Sequence, residues 1–80
     1  MRYYGIDFVA HELDVHPSSL RRWEDNGLIT PERATMGKTM LRIYDEKAMR
    51  LLRRAKESMD TGMSVREAFD KARREEQQND

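Results

Sequence analysis

Apolar positions along this chain recur mostly at helical spacing, with one stretch where they do not. Ile6, Val9 and Leu13 lie three and four apart, so a helix gathers them on one face, with Gly5 or Asp7 available as its N-cap. A turn at Asp14 and Val15 follows. His16-Pro17 opens a second helix, because proline fits the first helical position, where its missing N–H is not needed. Asn26-Gly27 closes that helix near Asp25, since both residues tolerate the left-handed backbone that helix C-termini favour. Leu20 and Trp23 share the face that anchors it.

Pro31 stops helical continuation. Residues 32 to 44, ERATMGKTMLRIY, mix β-branched and aromatic residues around a central glycine, which predicts a small hairpin. Asp45 then caps a long helix in which Ala48, Leu51, Leu52, Ala55 and Met59 form an apolar stripe. The opposite face carries Lys47, Arg50, Arg53, Arg54 and Lys56, a pattern that reads as a solvated face with support such as Glu46 to Arg50. Gly62 breaks the chain. Ser64 and Glu67 make an S-x-x-E capping box before Val65, Ala68, Phe69 and Ala72, and the last helix is expected to fray into a polar tail at residues 75–80, EEQQND.

Eighty residues make one small domain with a modest core, residues 1–80. The absence of cysteine excludes disulfides and thiolate metal sites and fits the cytoplasm, and no run of apolar residues is long enough for a membrane span. Formal charge sums to +0, yet residues 15 to 56 hold ten Lys/Arg against five Asp/Glu. The flanks are acidic. Such an arrangement lets one face approach a polyanion. No serine stands in a triad-like pattern and no phosphate-cradling glycine loop exists, so no catalytic residue is assigned. His11 and His16 lack further metal-ligating neighbours, and no metal or cofactor is expected.

Two short helices joined by a tight turn form a helix-turn-helix, whose second helix can enter the major groove of DNA. Ser18 and Ser19 offer short hydroxyls to bases or phosphates, and Arg21 and Arg22 reach phosphates or pair bidentately with guanine.

The run VAHELDVHPSSLRRWEDNGLITPER resembles the DNA-binding head of MerR-type transcription regulators, whose pattern reads roughly VA-x-x-x-GVSP-x-TLRYYE-x-x-GL-x-P-x-R. Arg42-Ile43-Tyr44 resembles the R-x-Y of the family's wing, Asp45 to Met59 its following helix, and TGMSVREAF its GFSLEEI stretch, so the resemblance covers roughly residues 5 to 74. It implies a mainly α winged helix-turn-helix of about four helices and a β-hairpin wing. The recognition helix is expected at about 17–25 and the wing at about 32–44. It also implies double-stranded DNA as the partner, contacted by His16, Ser18, Ser19, Arg21 and Arg22 on the helix and by Arg33, Lys38, Thr39, Arg42 and Tyr44 around the wing.

Four departures stand out. Asp14 takes the place of a glycine, His16 of a capping serine and Arg22 of a tyrosine, and the wing is about three residues longer, inserting Lys38, Thr39 and Met40. Neither a dimerisation coiled coil nor a small-molecule sensor is visible, so the expectation is a monomer that binds DNA alone or by cooperative self-association. Transcription regulation is the leading expectation. An excisionase-like DNA-shaping accessory, or a module that binds a partner regulator protein, are the alternatives.

Overall fold

The computed structural model describes residues 2–78; Met1 and the end of the expected polar tail, Asn79 and Asp80, lie outside the described residues. Seven elements follow in chain order: β1 (Tyr4–Gly5), α1 (Ile6–Leu13), α2 (Pro17–Asp25), β2 (Glu32–Met36), β3 (Thr39–Tyr44), α3 (Glu46–Asp60) and α4 (Val65–Gln78). The four helices and the hairpin match the sequence reading. Strand β1 does not appear in that reading. It pairs antiparallel with β3, Tyr4 opposite Tyr44 and Gly5 opposite Ile43, so the sheet runs β1-β3-β2.

Three helices end by one device. After α1, α2 and α3 the chain enters positive φ at Asp14 (56°), Gly27 (75°) and Gly62 (102°). In each case this residue bonds back to a carbonyl three positions earlier, and the next residue bonds to one five positions earlier: Val15 to Ala10, Leu28 to Trp23, Met63 to Ser58. This is the Schellman pattern, which satisfies two orphan carbonyls and turns an apolar residue inward. Val15, Leu28 and Met63 all pack on the core. Asn26, by contrast, keeps an ordinary φ of −88°, so Gly27 alone makes the left-handed turn.

Asp14 is the one non-glycine residue in a left-handed conformation among the described residues. That accounts for the glycine the sequence comparison expects there. Asp14→Gly should therefore raise stability, on the order of 0.5–1 kcal/mol, since the left-handed strain outweighs glycine's added chain entropy. Urea unfolding checks this, and an unchanged or lower midpoint would contradict it.

The core joins Val9 and Leu13 of α1, Leu20 and Trp23 of α2, Leu28, Ile29, Tyr44, and Met49, Leu52 and Ala55 of α3 to Ala68, Phe69 and Ala72 of α4. Trp23 meets Phe69 edge to face, ring centroids 5.3 Å apart. The apolar stripe of α3 sits slightly rotated from expectation. Met49 and Ser58 are buried, while Ala48, Leu51 and Met59 lie at the margins, because α3 packs against α1 and β3 as well as α4.

The polar residues also settle differently. Glu46 accepts the Tyr4 hydroxyl at 2.5 Å, leaving Arg50 to face Glu76 at 3.7 Å. Arg54 lies 3.0 Å from Glu75 and 3.1 Å from Glu76. Glu75 and Glu76, expected in a fraying tail, are thus helical and tied to α3. Arg73 donates to the Leu28 carbonyl, pinning α4 to the turn after α2. No helix among the described residues is long and apolar enough to cross a membrane.

Candidate nucleic-acid interface

Helix α2 begins at Pro17 because His16 can cap it. His16 adopts extended backbone, and its Nδ1 accepts the Ser18 N–H at 3.1 Å. An imidazole therefore does the work that a serine oxygen usually does at this position. Burying Leu20 and Trp23 fixes the rotation of the helix. At about 100° per residue, the face opposite them carries Ser18, Arg21, Arg22 and Asp25, all exposed, with Ser19 half-buried at one margin. Four of the helix residues expected to contact DNA thus lie together, the fourth at the edge.

Glu24 holds the other margin. Its Oε1 takes the Arg42 Nε–H at 2.6 Å and its Oε2 an Arg33 guanidinium N–H at 2.6 Å. Arg33 and Arg42 stand directly opposite each other across the hairpin. Like charges in that position repel unless something neutralises them. One carboxylate from the helix does so, and in doing so it joins the wing to α2. Glu24 was not among the expected site residues. The clue was available in sequence: a two-residue turn at Gly37-Lys38 places Arg33 against Arg42, and that pair requires a counter-charge.

Burial works to raise the Glu24 carboxyl, but the hydrogen bond from Arg42 and the charges of both arginines outweigh it and hold the group below its ordinary range. A carboxyl depressed in the folded state adds stability that is present above its unfolded pKa and is lost as pH falls through the folded value. The clamp should therefore persist through neutral pH and open only in acid, below the ordinary carboxylate range. Glu24→Gln, which removes the charge and keeps the shape, should cost about 1–2 kcal/mol, reduced by the partial exposure of both arginines. It should also flatten the acid limb of a stability-against-pH curve. An unaltered acid limb in this variant would contradict the assignment.

The wing places its residues unevenly. Gly37 enters positive φ (64°) and Lys38 does not, as a type II′ hairpin turn requires. Lys38 and Thr39 are both exposed at the tip. Strand alternation sets Thr39 on the face with Met36 and Leu41, away from Arg33 and Arg42. Tyr44 corrects the sequence expectation. Its side chain is 1% exposed, in the core, and so has no surface to offer a duplex. Its hydroxyl is buried without a hydrogen-bond partner among the described residues. Burial raises its pKa, as does Glu24, while Arg42, Arg33 and Arg21 oppose the rise. Arg21, three residues before Glu24 on α2, lies one helical turn from the clamp.

Elsewhere the cations divide evenly. Arg50, Arg54 and Lys56 of α3 and Lys71 and Arg73 of α4 lie in ion pairs, whereas Arg2, Lys47, Arg53, Arg66 and Arg74 have none among the described residues. Arg21, Arg22 and Lys38 have none among the described residues. The unneutralised charge of Arg21 and Arg22 lies on α2 and that of Lys38 at the wing tip, the two elements that Glu24 joins.

Comparison with curated proteins gives no match. A family model described as MerR HTH family regulatory protein matches residues 4–74, from the first residue of β1 to well into α4. With the fold, the turn chemistry and this match in agreement, the chain belongs to the MerR helix-turn-helix family of DNA-binding regulatory proteins.

Proposed function

We propose that this protein binds double-stranded DNA in a sequence-specific manner and regulates transcription, acting in the cytoplasm. The observation that carries the reading is the Glu24 bridge, which makes α2 and the wing a single surface. Ser18, Ser19, Arg21 and Arg22 face the major groove, where guanidinium groups pair bidentately with guanine. Arg42, Arg33 and Lys38 meet the phosphate backbone, the arginines through donors that Glu24 does not occupy. Thr39 supports the tip and His16 donates to a phosphate from Nε2.

Selection from a random-duplex pool, followed by footprinting, tests this. A defined site of limited length supports a specific regulator, and enrichment of bent but otherwise unrelated duplexes would favour a DNA-shaping accessory. In the same assay Arg21→Ala should relax preference at one base position, at about 1–3 kcal/mol for a bidentate contact. Arg42→Ala should weaken all duplexes alike. Equal binding of both variants and the parent across the pool would refute the assignment of these roles.

A further inference from the structure

We infer that Ser18 presents a hydrogen-bond acceptor to the major groove, and that the neutral imidazole of His16 sets this polarity. The inference rests on the DNA-binding reading above and adds the base chemistry that Ser18 selects. His16 Nδ1 lies 3.1 Å from the backbone nitrogen of Ser18 and 2.8 Å from its Oγ. A backbone N–H can only donate, so Nδ1 must carry a lone pair, and the ring is neutral with its proton on Nε2. An unprotonated Nδ1 cannot donate to Oγ. The hydroxyl must therefore supply the proton in that second contact.

A serine hydroxyl has one proton and two lone pairs. Once the proton points back to His16, only the lone pairs face outward. Ser18 is exposed on the same side of α2 as Arg21 and Arg22. In the major groove an acceptor is matched by the N6 amino group of adenine or the N4 amino group of cytosine, whereas guanine N7 and O6 and thymine O4 are acceptors themselves. Ser18 thus favours adenine or cytosine on the strand it faces. A serine in the same place with a free hydroxyl would accept either class. His16 acts as a positioning residue: it selects bases through the hydrogen bond it imposes on its neighbour.

Two measurements test this. In the free protein, nitrogen-15 NMR of the imidazole at pH 8 should show His16 in the Nε2-protonated form. The Nδ1-protonated form would overturn the inference without reference to DNA. In random-duplex selection, the parent should prefer adenine or cytosine at one position, and Ser18→Ala should lose that preference. His16→Asn keeps an acceptor for both Ser18 groups and should retain it. His16→Ala frees the hydroxyl proton and should reduce it about three- to tenfold, the worth of one hydrogen bond. A Ser18-dependent preference for guanine or thymine, or one untouched by His16→Ala, overturns the inference while leaving DNA binding intact. Failure to select any duplex overturns both.

Discussion

Trp23→Ala is expected to unfold the domain. The indole of α2 is 6% exposed in the core and meets the fully buried Phe69 of α4 edge to face. Truncating such a residue costs about 3–5 kcal/mol in lost burial and cavity. A chain of this size holds a total of similar magnitude, since below about 80 residues a single core rarely supplies more than 3–5 kcal/mol. Circular dichroism at 25 °C should show the loss of helical signal, with any DNA binding lost as a consequence. A folded Trp23→Ala protein would mean that the anchoring of α2 lies elsewhere.

Salt should act on DNA affinity with comparable force. Arg21, Arg22, Lys38 and the net positive Glu24–Arg33–Arg42 cluster can neutralise roughly four phosphates, which gives a log-log slope of about −3.6 for duplex DNA. Raising monovalent salt from 50 to 200 mM then weakens binding by about 150-fold. The acidic flanks do not cancel this, because Glu75 and Glu76 are engaged with Arg50 and Arg54. Affinity that barely responds to salt would exclude a phosphate-bound mode.

Much of the architecture is legible in the sequence, for reasons that individual residues explain. Pro17 can start α2 because a first helical position needs no N–H, and Gly27 and Gly62 can end helices because only a residue without a Cβ enters positive φ freely. Apolar spacing placed Leu20, Trp23, Leu28 and Phe69 in the core, where they lie. Asp14 shows the same rule from its exception. Its place in the resemblance demanded glycine, and the backbone there has the conformation that explains the demand.

What the sequence concealed depends on tertiary contact. Strand β1 is two residues long, too short for any alternation, and exists only because β3 offers an edge. Tyr44 was placed in the interface by the resemblance of Arg42-Ile43-Tyr44 to the R-x-Y of the family's wing; at the end of β3 its ring joins the core instead and is buried. Glu24 looked like one acid among many, because its importance comes from two arginines nine and eighteen residues away. His16 read as a DNA contact standing where the resemblance has a capping serine. Its ring orientation makes it a working cap, and nothing in spacing reveals which nitrogen faces the helix.

In the proposed complex one duplex touches α2 and the wing at the same time. Titrating nitrogen-15-labelled protein with a selected duplex tests this most directly. The amide signals of residues 18–22 and of the wing around 33–42 should shift together with one saturation curve, while those of α4 stay in place. Shifts confined to α3 and α4, or saturation of the two regions at different duplex concentrations, would contradict it.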